Sequence, residues 1–363
     1  KTAKNDWLVA FLIILSLSFF VDCTSDTVPS VVDRNDLVKL KLSRKAKERG
    51  AFCLDGSLPG YHFHKGSGFG SKSWLLYLES CSSRAVTSLG SSNYFESKVA
   101  FDGVLSSDPS QNPDFFNWNR VKIRYCDGAS FAGHPEAEFK NETGLFFRGQ
   151  LIWEAIMDEL LSMGMSHAKQ AILTGCSAGG LATLIHCDYF RDHLPKDAVV
   201  KCVSDGGYFL NVPDILGKPT MRSFYRDVVN LQGVDKSLNQ NCVSKMEPSK
   251  CMFPQEFLKN LRTPVRATDP SMRASFFFAC FHLIICFRTS LMEAIGEFHQ
   301  NKDGGTFIDS CYSHCQTLAA ETWHSPTSTK IENKTIAESV GNWYFNRKPV
   351  KLIDCSYPCN TSC

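Results

Sequence analysis

The stretch Gln170–Leu184, which reads QAILTGCSAGGLATL, decides the fold. Its apolar run Ala171–Thr174 is typical of a buried strand, and helix-forming residues resume after the glycines. Gly175 and Gly179 stand two positions before and two positions after Ser177, so neither brings a Cβ into a very tight strand-to-helix turn. The pattern predicts a nucleophile elbow, which exposes the Ser177 hydroxyl at the carboxyl edge of a parallel sheet. The alternative is a glycine-rich helix start with serine as its N-cap.

Strands and helices alternate on both sides of this turn. Apolar residues at helical spacing predict helices over Phe147–Met163 and Gly179–His193. Apolar or alternating runs predict further strands, and Asp205-Gly206-Gly207 after the last of them is interpreted as a turn. The predicted strands are Ser73–Glu79, Val121–Cys126, Gln170–Thr174 and Val199–Ser204. We therefore predict the α/β class: an α/β-hydrolase-like, mostly parallel sheet with helices on both faces.

A serine nucleophile needs a base, which follows the serine in this type of fold. His314 lies in a loop that Cys311 and Cys315 can fix in place, and a base must be held in a fixed orientation. His186 and His193 lie in the helix after the elbow and point away from the hydroxyl. The remaining candidates are His282, His299 and His324. We predict His314 as the base, with an ordinary surface histidine as the alternative.

Composition excludes several classes of protein. With 363 residues, 43% of them hydrophobic and 21% charged, the chain is neither disordered nor a coiled coil. A net charge of +2 gives no basic surface, so we expect no nucleic-acid partner.

The first residues predict secretion. Lys1 and Lys4 precede an apolar run from Trp7 to Val21, which indicates a secretory signal peptide over residues 1–25. The alternative is a membrane anchor, but such a helix needs about 20 apolar residues. We expect one domain over residues 26–363, extracellular and monomeric, with no membrane span after signal removal. Glycan acceptor sequons start at Asn141, Asn333 and Asn360.

Sixteen cysteines in a secreted chain predict disulfides, although the sequence does not fix their pairing. Without Cys23 fifteen remain, and this odd number indicates a free thiol, an intermolecular bond or a missing partner. Zinc is the alternative for Cys311/Cys315 and Cys355/Cys359/Cys363. These spacings lack paired C-x-x-C knuckles, so we expect no metal.

Longer motifs resemble a known family, the plant pectin acetylesterases, which also includes the animal Notum esterases. The resemblance covers most of residues 35–363, apart from two gaps. It is carried by several stretches: Asn112–Arg120, Arg124–Phe131, Arg148–Gln150, Gln170–Asp188, Val229–Val234, Ser310–Gln316, Thr335–Ala337 and Lys351–Cys355.

The resemblance implies an α/β-hydrolase-like fold and secretion to the cell wall. It implies hydrolysis of acetyl esters on pectin galacturonate, with no metal or organic cofactor. Ser177 lies at the position of the family nucleophile, His314 at that of its base, and Ala178 at that of an oxyanion donor. The expected chemistry is an acetyl-serine intermediate that water hydrolyses to acetate.

The chain departs from the family pattern at two places. After Glu79 it lacks the Gly-Gly-Gly-Trp-Cys run, roughly eight residues by our comparison, which would supply the second oxyanion N–H. After Pro264 it lacks the strand ending in Ala-Tyr-Asp, which carries the triad acid. Asp269 is a weak candidate for this acid because its Asp-Pro context matches a different family segment. Ser275–Phe287 is an apolar run foreign to the family.

Three functions follow from these patterns. The first is an active pectin acetylesterase. The second is a catalytically impaired or dead variant that retains polysaccharide binding, with apparent deletions near residues 79–81 and 264–287. The third is a Notum-like esterase for lipid acyl groups.

Overall fold

The structure is a computed structural model. It describes residues 37–79, 90–134, 144–214, 216–268, 281–296, 302–311, 313–357 and 359–363, without the side chains of 281–287.

In these residues ten strands form one sheet. In chain order they are β1 (Val38–Leu42), β2 (Gly60–His64), β3 (Ser73–Leu78), β4 (Lys98–Val99), β5 (Asn119–Ile123), β6 (Gln170–Cys176), β7 (Val199–Asp205), β8 (Val265–Thr268), β9 (Gly305–Ile308) and β10 (Lys351–Ile353).

The sheet runs in the order β10-β9-β8-β7-β6-β3-β5-β2-β1-β4. Strands from β10 to β5 are parallel, whereas β2, β1 and β4 form an antiparallel edge. Strand β6 is central, with Gly175 opposite Leu78 of β3 and Ser204 of β7. The predicted mostly parallel sheet is confirmed. Its carboxyl edge collects the ends of β3, β6, β7, β8 and β9.

Helices cover both faces of the sheet. They are α1 (Arg44–Glu48), α2 (Gly149–Ser162), α3 (Ala178–Asp192), α4 (Thr220–Gln232), α5 (Gln240–Val243), α6 (Pro254–Phe257), α7 (Phe281–Ala294), α8 (Ala320–Trp323) and α9 (Ile336–Tyr344). None of the described helices combines the length and apolarity that crossing a membrane requires.

The alternating side chains of the central strands divide the apolar core in two. On β3, Leu76 and Leu78 pack with the residues of α2 and α3, while Leu75 and Tyr77 pack with those of α9. Because both faces are buried, the strands read as nearly continuous apolar runs, as expected for a parallel sheet.

The predicted element boundaries differ from the observed ones at β5. This strand starts at Asn119 and ends at Ile123, rather than spanning Val121–Cys126. The N–H of Arg124 still donates to the carbonyl oxygen of Gly60 in β2 at 3.1 Å, whereas the N–H of Tyr125 donates to the carboxylate of Glu79.

Among the described residues six disulfides form, as the cysteine content of a secreted chain predicts, and they span from 4 to 139 positions in sequence. They are Cys53–Cys126, Cys176–Cys315, Cys187–Cys202, Cys242–Cys251, Cys311–Cys363 and Cys355–Cys359. Cys23, Cys81, Cys280 and Cys286 lie outside the described side chains, so the expected odd thiol stays a prediction.

Candidate active site

Ser177 lies in the sharp turn between β6 and α3. Its φ of 57° and ψ of −119° are strained for a residue with a side chain, as in a nucleophile elbow. A Cβ on Gly179 would lie 2.1 Å from the carbonyl oxygen of Leu78, and a Cβ on Gly175 would lie 2.5 Å from that of Gly179. Only glycine fits at both positions, so the glycine spacing is what allows the turn.

The turn is also held from β7. The Ser177 N–H donates to the carbonyl oxygen of Asp205 at 2.9 Å, and the Ser204 hydroxyl donates to that of Gly180 at 3.0 Å. Ala178 is the first residue of α3, where backbone N–H groups have no acceptor within the helix. A fixed N–H donor beside the nucleophile is what stabilisation of an oxyanion requires.

His314 lies next to this turn, on residues 309–317 after β9, which we call the base loop. Its Nε2 atom is 4.0 Å from Sγ of Cys176, the residue before Ser177. Cys315, the residue after His314, forms a disulfide with Cys176, and their Cα atoms are 5.3 Å apart. The structure therefore brings the predicted nucleophile and the predicted base to one place.

Two buried carboxyl groups anchor the base loop. Asp205, at the end of β7, accepts hydrogen bonds from the N–H of Thr317 at 2.8 Å and from its hydroxyl at 2.7 Å. Asp309 accepts one from the N–H of Cys311 at 2.9 Å. Burial raises the pKa of Asp309 to about 7, and the charges of Asp205 and Asp354 act in the same direction. Asp309 is therefore largely protonated in mildly acidic solution.

Other described histidines after Ser177 have structural partners. His186 Nε2 lies 3.0 Å from the carbonyl oxygen of Phe131, and its ring stacks on Trp153. Burial lowers the pKa of His186 to about 4, so the neutral ring donates this hydrogen bond. His193 is exposed at the end of α3, and His324 Nδ1 is 2.9 Å from a threonine hydroxyl.

Glu79 lies where β3 meets the elbow. Its carboxylate is 2.8 Å from the Arg124 guanidinium and 3.3 Å from the Lys122 ammonium, and it accepts a hydrogen bond from the N–H of Tyr125. Burial raises the pKa of Glu79, but the two positive charges outweigh burial and leave this pKa lowered. Glu79 thus stays ionised and fixes the end of β5 beside the elbow.

The loop Asp127–Phe131 follows β5 and is fixed by its own first residue. The Asp127 carboxylate accepts hydrogen bonds from the N–H groups of Ala129 at 3.1 Å and Phe131 at 2.9 Å. Ser130 and Phe131 have φ values of 55° and 57°. The carboxylate therefore holds the strained Phe131, while the N–H of the strained Ser130 donates to the Tyr125 hydroxyl at 3.1 Å.

Several predicted site residues fall outside the part of the chain that the structure describes. Asp269, Asn141 and His299 lie outside the described residues, as does the side chain of His282. Strand β8 ends at Thr268, directly before Asp269 in the chain.

The two described sequons differ. Asn333 is exposed, in a turn with φ of 59°. The Asn360 amide donates to the carboxylate of Asp354 at 2.6 Å and to the carbonyl of Lys330 at 3.1 Å. The surface position of Asn333 is the more open to a glycan.

Two groups of described side chains have the composition of metal ligands. They are Cys176, His314 and Cys315, and Asp354, Cys355 and Cys359. In each group the two cysteines form a disulfide, so neither group offers a thiolate.

A family model described as pectinacetylesterase matches residues 31–268 and 279–363. The chain belongs to the pectin acetylesterase family. Two relatives from Arabidopsis thaliana match nearly their whole length. Pectin acetylesterase 5 is 70% identical over 411 aligned positions, which cover 100% of this chain and 96% of that protein. Pectin acetylesterase 4 is 69% identical, covering 99% and 97%. The resemblance found in the sequence is confirmed.

The pectin acetylesterase fold also matches a solved structure, that of the Wnt deacylase Notum from Drosophila. The TM-score is 0.78 and the identity 22%, with 90% of this chain and 99% of the other covered. This likeness confirms the predicted α/β-hydrolase-like fold.

The match to the pectin acetylesterase family is interrupted between residues 268 and 279. The comparison with Pectin acetylesterase 5 runs over 411 positions, whereas this chain has 363 residues. That relative therefore has residues at positions where this chain has none. The interruption falls within 264–287, the predicted second gap, while the gap near 79–81 stays a prediction.

Reasoning from the sequence missed two features of this pectin acetylesterase site. The pattern Asp205-Gly206-Gly207 predicts a turn, yet the carboxylate of Asp205 anchors the base loop. The Cys176–Cys315 pairing was not foreseen either. The available signal was position: each cysteine is adjacent in sequence to one of the two candidate catalytic residues.

Proposed function

We propose that this chain is a secreted serine carboxylesterase that removes acetyl groups from cell-wall pectin. The observation that carries the proposal is the nucleophile elbow at Ser177 with the His314 loop bonded covalently beside it. Membership of the pectin acetylesterase family supplies the substrate, acetylated homogalacturonan.

The reaction we propose has two steps. In the first, Ser177 Oγ attacks the acetyl carbonyl while His314 takes the hydroxyl proton and passes it to the departing sugar oxygen. The N–H of Ala178 stabilises the oxyanion that forms. In the second step His314 activates water, which hydrolyses the acetyl-serine ester and releases acetate. Asp269 is the candidate acid that would orient His314.

Extracellular action follows from residues 1–25, proposed as a signal peptide, and is supported by the disulfide-rich fold. Asn141, Asn333 and Asn360 are proposed as glycan acceptors, and the protein as a monomer. Neither nucleic acid nor membrane is a proposed partner.

The test is acetate release from acetylated homogalacturonan, together with hydrolysis of p-nitrophenyl acetate and of a long-chain p-nitrophenyl ester. We expect hydrolysis of both acetyl substrates and little of the long-chain ester. Ser177→Ala should reduce the acetyl hydrolysis to background, because only binding and oxyanion contacts remain. Unchanged activity in this variant would remove the nucleophile assignment, and preference for the long chain would favour the Notum-like function.

The second candidate function is that of a catalytically impaired pectin acetylesterase. It is favoured by the interruption of the family match after Thr268. We compare this chain with a chimera that carries the segments of Pectin acetylesterase 5 after Glu79 and after Pro264. The chimera should be faster by about 10²–10³ in turnover, the usual effect of one oxyanion donor. Equal rates in the two proteins would contradict the impairment.

A further inference from the structure

We infer that the Cys176–Cys315 disulfide is a covalent strap that positions His314 against the nucleophile elbow, and that a dithiol reductant inactivates the esterase by opening it. The inference rests on the proposed roles of Ser177 and His314. Cys176 and Cys315 are positioning residues, since neither sulfur reacts with the ester.

The strap joins the two catalytic segments at their closest residues. Cys176 is the last residue of β6 and is fully buried, so the elbow end is fixed in the core. Cys315 is half-buried and directly follows His314. The disulfide joins two residues that are 139 positions apart in sequence, and His314 is adjacent to one of them.

Both ends of the strap adjoin strained backbone. Ser177 has a φ of 57° and Cys315 a φ of 62°, and each such conformation costs about 1–3 kcal/mol. Such conformations persist only where the surroundings over-determine them. At Ser177 the close glycine contacts do this locally. At Cys315 the covalent bond to Cys176 supplies the constraint.

The other described anchors of the base loop bind residues that are not adjacent to His314; the Thr322 hydroxyl, for example, donates to the carbonyl oxygen of Gln316 at 2.7 Å. Asp205 binds Thr317, and Cys311 is bonded to Cys363. The strap reaches Cys315, the residue next to His314, from the elbow side. A base must lie within hydrogen-bond reach of the hydroxyl it deprotonates, and a displacement of about 1 Å can cost roughly 10² in rate.

Opening the strap is a two-electron exchange. A dithiolate attacks one sulfur of the bridge, a mixed disulfide forms, and the second thiol of the reductant resolves it. The products are two protein thiols at Cys176 and Cys315 and the oxidised reductant. Without the bridge the base loop keeps its contacts with Asp205 and Cys363 but loses the covalent constraint beside His314.

The test uses the full chain and a fluorophosphonate probe, which labels a serine only when it is activated as a nucleophile. The strap is removed in C176S/C315S. The matched control is C187S/C202S, which removes the disulfide that ties the same elbow helix to β7. The rate of Ser177 labelling per folded molecule is measured by mass spectrometry at several pH values. In parallel, kcat and KM are measured for p-nitrophenyl acetate.

We expect C176S/C315S to label about 10²-fold more slowly, with kcat reduced and KM nearly unchanged. The control should lose thermal stability but label within about threefold of the unmodified protein. Equal labelling in C176S/C315S and the unmodified chain, or equal losses in both variants, would overturn the strap. Absence of labelling in the unmodified chain would instead overturn the proposed function.

A second measurement avoids any folding defect of the variants. The folded, unmodified protein is treated with dithiothreitol without denaturant, and free thiols are mapped by alkylation. Labelling of Ser177 should fall in step with the appearance of thiols at Cys176 and Cys315, and reoxidation should restore it. Full labelling of protein in which both thiols are alkylated would contradict the inference.

Discussion

The nucleophile elbow and the base loop reach the same place by different physical means. The elbow depends on a short sequence pattern: Gly175 and Gly179 let the turn pack closely against β3, and β7 adds hydrogen bonds to it. The described residues of the base loop lie in no helix or strand. It is fixed by distant partners, namely the Asp205 carboxylate, Cys176 and Cys363.

The two segments should therefore respond differently to substitutions. The conformation of the elbow needs a few correct residues close together in sequence, packed against the neighbouring strands β3 and β7. A loop held by long-range bonds depends on each of its anchors being present. Damage to the elbow should therefore affect folding, whereas damage to a loop anchor should affect catalysis more than stability.

The largest effect is expected from Gly179→Ala. Its Cβ would lie 2.1 Å from the backbone oxygen of Leu78, which has no flexible end to move. We expect the free energy of unfolding to fall by at least about 3 kcal/mol and Ser177 labelling to be lost. Urea denaturation and fluorophosphonate labelling measure both quantities.

The matched control for this steric argument is Gly296→Ala. No heavy atom of the described chain lies within 4 Å of a Cβ at Gly296. This variant should change stability by no more than about 0.5 kcal/mol. Similar losses in both variants would mean that glycine loss in general, rather than the close approach at the elbow, is responsible.

An intermediate effect is expected from Asp205→Asn, which keeps the shape of the loop anchor but removes its charge. Hydrogen bonds to a charged acceptor contribute about 1.5–3 kcal/mol, compared with about 1 kcal/mol for neutral pairs. We expect labelling of Ser177 to fall roughly tenfold or more, because Thr317 holds the base loop less firmly. The loss in the free energy of unfolding should be smaller than the loss in labelling rate when that rate loss is expressed as a free energy.

Thr317→Val is the control for Asp205→Asn. It removes the hydroxyl bond to Asp205 but leaves the charge and the backbone N–H bond in place. Labelling should stay within about threefold of the unmodified protein. If Thr317→Val matched Asp205→Asn, the charge of Asp205 would have no part in holding the base.

The same contrast explains what the sequence predicts. The strand-to-helix turn at Ser177 is encoded within the single stretch Gln170–Leu184, so its pattern predicts both its type and its position in the sheet. His314 was found because the order of catalytic residues in this fold restricts the search. The role of Asp205 and the pairing of Cys176 with Cys315 were not found, because both depend on which segments meet in space. Six cysteines alone allow 15 pairings, and the chain has sixteen.

The smallest effect on catalysis is expected from Asp309→Asn, whose effect on stability depends on pH. Burial raises the pKa of Asp309 to about 7, so its folded form binds a proton that the unfolded form has lost above pH 4. Stability of the unmodified protein should therefore fall as pH rises from about 4 to about 7, by on the order of 4 kcal/mol at most.

Asparagine reproduces the protonated carboxyl, with one oxygen to accept the Cys311 N–H and one group to donate. Asp309→Asn should thus match the unmodified protein near pH 4 and exceed it in stability near pH 8. Urea denaturation between these pH values measures the difference. Parallel stability curves for the two proteins would show that Asp309 titrates normally. Because asparagine has the hydrogen-bonding groups of the protonated carboxyl that Asp309 carries at pH 5, labelling of Ser177 at this pH should stay within about threefold.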